Sequence, residues 1–141
     1  MKKQALNLYD DLISLTCYFN SNGCGNSGCQ NISMTDFFAL RLIHRYQPCP
    51  IQTLGHCLGI TKSGATRVAK RLEQQALIMI SPSPTDGRVR CLSLSDAGND
   101  CMNKVISSQT TRLQQQLDSL GKEKSRQLIS GLDALMSVLT P

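Results

Sequence analysis

Residues 50–72 read Pro-Ile-Gln-Thr-Leu-Gly-His-Cys-Leu-Gly-Ile-Thr-Lys-Ser-Gly-Ala-Thr-Arg-Val-Ala-Lys-Arg-Leu, and the fold follows from this stretch. Pro50 suits the first turn of a helix, where its missing N–H costs nothing. Ile51, Leu54 and Leu58 then share one face of a short helix over roughly 50–58. Gly59 can adopt the left-handed conformation that ends a helix, and Thr61 offers a hydroxyl to cap the next one. Over about 62–75, Ala65, Val68, Ala69 and Leu72 form an inward stripe. Lys62, Ser63, Thr66, Arg67 and Lys70 lie on the other side. Two short helices joined by a tight Gly-containing turn make a helix-turn-helix. Small and basic side chains on the exposed half of its second helix suit a DNA major groove, where phosphates and base edges are both in reach.

Downstream, Leu77-Ile78-Met79-Ile80 is an apolar run of strand length, and the turn-rich Ser81 to Gly87 follows it. Arg88 to Leu94 then alternates with period two, Val89, Leu92 and Leu94 being the candidate inward set. Two strands around a Pro/Asp/Gly turn predict a hairpin, and a basic hairpin after a helix-turn-helix is a wing. Ser95 caps a long helix over about 96–119, Gly121 breaks it, and a last helix over about 122–139 carries Leu128, Leu132, Leu135 and Leu139. Upstream, Leu6, Tyr9, Leu12, Ile13, Thr16 and Phe19 mark an amphipathic helix over 4–19. A further helix starts after Ser33 or Thr35 and runs to about Tyr46, where Pro48 and Pro50 stop it.

The predicted fold class is mainly α with a small β-hairpin wing, an α+β arrangement in one chain domain over 1–141. A winged helix-turn-helix over 34–95 is flanked by dimerisation helices over 4–20 and 96–140, with a Cys/Gly-rich loop over 20–33. The terminal helices must bury their apolar faces somewhere, and a second copy related by a two-fold axis supplies that surface.

The charge is unevenly spread. Residues 41–90 hold eight basic groups (Arg41, Arg45, Lys62, Arg67, Lys70, Arg71, Arg88 and Arg90) against Glu73 and Asp86, a formal +6. The other 91 residues hold seven basic and eight acidic groups, a net of −1, so one segment carries the whole +5 excess of the chain. Forty per cent hydrophobic residues are enough for a core in a 141-residue chain, and three Phe, three Tyr and no Trp make that core aliphatic.

These residues resemble the multiple-antibiotic-resistance regulator (MarR) family of bacterial winged-helix transcription factors. The likeness covers about residues 34–100. It runs through Ile51 to Ser63, Arg71-Leu72-Glu73-Gln74-Gln75-Ala76-Leu77-Ile78, the wing motif Asp86-Gly87-Arg88, and the Leu94-Ser95-Asp96-Ala97-Gly98 that opens the next helix. Met79 and Ile80 stand where the family often has a basic residue. The resemblance implies an obligate homodimer that binds pseudo-palindromic double-stranded DNA, usually as a repressor. It implies that Ser63, Thr66, Arg67 and Lys70 face the groove, and that Asp86 orients Arg88 toward the minor groove. A narrow minor groove attracts an inserted Arg on physical grounds too. Thr61 and Lys62 at the helix start and Arg90 on the wing complete the candidate DNA-binding set.

The seven cysteines form a separate problem. Cys17, Cys24 and Cys29 give C-x6-C-x4-C across the end of the first helix and the Gly/Asn/Ser loop. Glycines let thiolates converge, which points to a sensor site holding a thiolate-bound metal or an iron–sulfur cluster, with a fourth ligand from elsewhere such as Cys101. Zinc, Cu(I) and trivalent arsenic are candidate ions beside the cluster. The redox alternative makes Cys17 the sensing thiol and Cys24 or Cys29 its resolving partner. A small hydrophobic ligand with incidental cysteines is the third reading. Outside such a site, Cys49, Cys57, Cys91 and Cys101 are read as small hydrophobes.

An enzyme is not expected. Gly23-Cys24-Gly25-Asn26-Ser27-Gly28 satisfies G-x-G-x-x-G as a string, but a helix precedes it where a dinucleotide site needs a strand. No H-E-x-x-H, P-loop or nucleophile-elbow pattern occurs. A metal or redox protein that binds no DNA is the remaining rival. With no 18-residue apolar run there is no predicted transmembrane helix or membrane partner. No secretory h-region is read near the start, and the chain is expected in the cytoplasm with reduced thiols.

Overall fold

A computed structural model of the chain describes residues 1–22 and 32–139. Its elements are α1 (Lys2–Asn22), α2 (Met34–Tyr46), β1 (Cys49–Pro50), α3 (Ile51–Leu58), α4 (Lys62–Gln74), β2 (Ile78–Pro82), β3 (Arg90–Leu94), α5 (Asp96–Leu120) and α6 (Lys122–Leu139). The mainly helical winged-helix class read from the sequence is what the chain adopts. The first helix runs on through Ser21 and Asn22, into the stretch expected as loop.

Local chemistry explains most boundaries. Ser33 caps α2 by accepting the Asp36 N–H at 3.1 Å, and Thr61 caps α4 by accepting that of Gly64 at 3.1 Å. Gly59 ends α3 at φ 63°, and Gly121 separates α5 from α6 at φ 81°. Ser95 accepts the Gly98 N–H at 3.0 Å in the first turn of α5.

The wing is part of a three-stranded antiparallel sheet, ordered β1-β3-β2. A simple hairpin was expected, so β1 is an addition. Pro50 does not start α3. It closes a two-residue strand opposite Cys91 and stands just before the helix. With β1 on one side and β2 on the other, β3 is central. Its Cys91 and Leu92 are consequently both buried, whereas Val89 falls outside the strand and is half-buried, breaking the expected alternation.

The chain divides into two compact units, residues 1–105 and 106–141. In the first, α2, α3, α4 and the sheet bury Leu40, Ile43, Leu54, Val68, Leu72 and Leu92 against one another, with Met102 and Val105 of α5 also enclosed. No Phe or Tyr is among the fully buried residues described, so the core is aliphatic as the composition required. The second unit holds the rest of α5 and all of α6, joined at Gly121, with the Ser125 hydroxyl donating to Leu117 O at 2.7 Å. α6 buries none of its residues within the chain. Among the described residues no helix is long and apolar enough to cross a membrane.

Candidate nucleic-acid interface

The helix expected to face DNA, α4 and here called the reader, is held by a close helix crossing. A methyl at Gly55 would stand 3.3 Å from the Ala65 Cβ, so the glycine lets α3 and α4 approach. The Ile60 N–H donates to Gly55 O at 3.0 Å and fixes the turn. Ala65, Val68, Ala69 and Leu72 of α4 are buried, and Lys62, Ser63, Arg67 and Lys70 are exposed. Thr66 is half-buried, and its hydroxyl donates back to Lys62 O at 3.0 Å. Its lone pairs remain to accept.

The wing is shaped by its own backbone. Ser83 N–H donates to Val89 O at 2.7 Å, and Val89 N–H to Asp86 O at 3.0 Å. The Asp86 carboxylate accepts the Arg88 backbone N–H at 3.0 Å. That bond makes an Asx turn. The acid thus meets Arg88 through the main chain, and the exposed guanidinium makes no ion pair with any described residue.

Between wing and reader lies a groove of about 210 Å³ lined by Ile51, Gln52, Lys62, Thr66, Arg88, Val89 and Arg90. Three cations share its wall with no acid among them. Of the residues singled out from the sequence, Lys62, Thr66, Arg88 and Arg90 come together here. Ser63, Arg67 and Lys70 lie on exposed turns of α4 outside that wall, Thr61 is occupied as the cap, and Asp86 shapes the turn. Gln52 and Ile51 were missed; they belong to α3, and only the fold shows that its first turn joins the groove.

One cation of the basic segment is spent internally. Arg71, on the last turn of α4, donates from Nε to both Asp36 carboxylate oxygens at 3.1 and 3.0 Å and from Nη2 to one of them. These hydrogen bonds hold the Arg71 pKa above its ordinary value. Asp36 lies outside the segment and cancels one of its eight positive charges.

Four of the described cysteines are free thiols. Cys17 is an exposed free thiol on α1, Cys57 an exposed one on α3, and Cys49 and Cys91 are buried and free. Burial pushes the Cys49 thiol pKa up, and Cys57 and Cys91 add to the effect, so it is a poor nucleophile. Cys101 is buried in α5 beside Val105, near Ile32, Phe37 and Leu77, and is disulfide-bonded. Cys24 and Cys29 lie outside the described residues. Among the described residues no three His, Cys, Asp or Glu side chains are placed to hold a metal ion.

A capped reader helix, a tight turn before it and a basic wing beside it define a winged helix-turn-helix protein. Residues 32–89 match the model of the MarR family. The regulator MhqR of Bacillus subtilis is 25% identical over 93 residues, 66% of this chain and 64% of that one, so the chain spans less than two thirds of that relative. A MarR family protein from Bacillus stearothermophilus superposes with a TM-score of 0.87 at 18% identity, over 100% of this chain and 99% of that one. Streptococcus pneumoniae FabT, solved in complex with DNA, superposes at 0.82 with 20% identity, over 97% and 96%. By sequence over residues 32–89 and by fold over nearly its whole length, the chain is similar to the MarR family of winged-helix regulators.

Proposed function

We propose that this chain is a transcriptional regulator that binds pseudo-palindromic double-stranded DNA as a homodimer, acting as a repressor. The observation that carries the reading is the groove in which Lys62, Arg88 and Arg90 meet Thr66 and Gln52. A helix presenting short polar groups, next to a cationic wing, can place base-edge and phosphate contacts side by side. The same fold carries DNA in FabT. The homodimer is supported by apolar surface that the single chain leaves open. Leu6, Tyr9, Ile13 and Phe19 of α1 are exposed, as are Leu128, Ile129, Leu132 and Leu139 of α6. A two-fold partner covers such faces and sets the spacing of two reader helices on successive turns of DNA.

The test is fluorescence anisotropy with duplexes enriched from a randomised library, repeated across salt concentrations. Each phosphate neutralised contributes roughly −0.9 to the slope of log K against log salt. A steep slope with a dimer on the duplex is expected. A flat slope, or a monomer on the duplex, would count against the reading.

The signal enters, on this proposal, at the α1–α2 side. A cavity of about 570 Å³ is walled by Leu12, Leu15, Phe19, Met34 and Phe38, with the free Cys17 thiol among them. Its size and lining fit a small apolar effector. Cys17 adds a chemical option, because a thiolate attacking a peroxide breaks the O–O bond and leaves a sulfenic acid and an alcohol. A metal or iron–sulfur form would need Cys24 and Cys29. Cys17→Ser is expected to abolish the effect of an organic peroxide on DNA affinity while sparing that of an apolar ligand. A peroxide response that survives in Cys17→Ser rejects Cys17 as the sensing thiol.

A further inference from the structure

Asp36 is the charged side chain buried among the described residues, with 2% of its surface exposed. It sits in the first turn of α2, where its own N–H is taken by the Ser33 cap. A buried carboxylate is costly unless paired and hydrogen-bonded, and its partner is 35 positions away on the reader helix. Arg71 meets it with Nε and Nη2 together, the latter at 2.5 Å. Such a planar fork fixes direction as well as distance. The pair therefore adds to the buried stripe a directed restraint on the rotation of α4 about its own axis. Arg67, one turn earlier, and Lys70, the neighbour of Arg71, point where that rotation sends them.

We propose that Asp36 is a positioning residue for DNA reading: through Arg71 it fixes the face that α4 presents to the groove, and so governs selectivity between sequences. The proposal rests on the DNA-binding reading above. It differs from a purely structural role in the sign it predicts. Asp36→Asn removes a negative charge, making the protein one unit more positive, so unselected DNA should be held as well or better. The selected duplex should be held less well, because the reader is no longer aimed.

Anisotropy titrations with the full chain test this, using a library-enriched duplex and an unselected duplex of equal length. Asp36→Asn is expected to lower affinity for the enriched duplex by about tenfold, inside the usual range of coupling between sites. Affinity for the unselected duplex should stay or rise. Arg71→Lys keeps the charge, loses the fork and should lower the same ratio; it serves if Asp36→Asn fails to fold. A wild-type ratio in the folded variants overturns the positioning role. A wild-type protein that enriches no duplex at all overturns the DNA reading itself, and this proposal with it.

Discussion

Gly98→Ala should lower the stability of the protein by about 3 kcal/mol, at the upper end of overpacking effects. A Cβ built at Gly98 lies 2.0 Å from the Leu77 carbonyl oxygen and 3.0 Å from its carbon. These are main-chain atoms, so no rotamer change relieves the clash. Nor can the carbonyl easily retreat, because it accepts the Ser95 N–H at 3.0 Å, while the Ser95 hydroxyl donates to Ala76 O at 2.6 Å. The start of α5 is thus seated directly on the turn between α4 and β2. Thermal denaturation should show Tm falling by roughly 10 °C. Ala76→Gly is the control in the same turn. Ala76 holds φ 57°, where glycine carries no Cβ penalty, so this variant should be neutral or slightly stabilised. An unchanged Tm in Gly98→Ala would contradict the packing described.

The two glycines of this region show what a sequence can disclose. Gly59 was legible because the residues around it already say why it is there: a helix stripe ends, a Thr cap follows, and the left-handed bend between them has one cheap residue. Gly98 appeared only as part of a familiar string after Leu94. Its reason is a carbonyl 21 positions earlier, and no local pattern encodes that distance. The same division runs through the sheet. β2 and β3 announced themselves by length and a turn, but β1 is two residues long and its Pro50 looked like a helix start. Missing β1 meant mistaking a central strand for an edge, and hence expecting Cys91 to alternate.

Charge was legible in the same partial way. Residue counting located the basic segment, and Lys62, Thr66, Arg88 and Arg90 do share one groove. Counting could not show that Arg71 is committed to Asp36, since the two meet only when α2 packs against α4. Nor could it add Gln52, which is neutral and lies on the helix before the turn. Local signals fix caps and stripes; which faces then meet depends on packing between elements distant in the chain. The loop cysteines were conspicuous by spacing alone, and of the three only Cys17 lies among the described residues.

Arg88→Ala should weaken binding to an enriched duplex by roughly tenfold or more, within the 1–3 kcal/mol expected of a side chain that contacts DNA directly. The guanidinium has no intramolecular ion pair among the described residues, and the turn beneath it is held by main-chain bonds and by Asp86 accepting at the Arg88 N–H. Both survive truncation of the side chain. Melting temperature should therefore stay within the narrow range typical of surface substitutions, about 0.5 kcal/mol in stability. The salt slope should become shallower by about one if Arg88 meets a phosphate-lined minor groove. Asp86→Ala separates aim from charge. It adds one unit of positive charge, which favours DNA, yet removes the bond that shapes the turn. Weaker binding in Asp86→Ala would mean that the turn aims Arg88, whereas tighter binding would mean that charge alone matters. Unchanged affinity in Arg88→Ala would remove the wing from the interface, leaving α4 to carry the contacts with Lys62, Arg67 and Lys70.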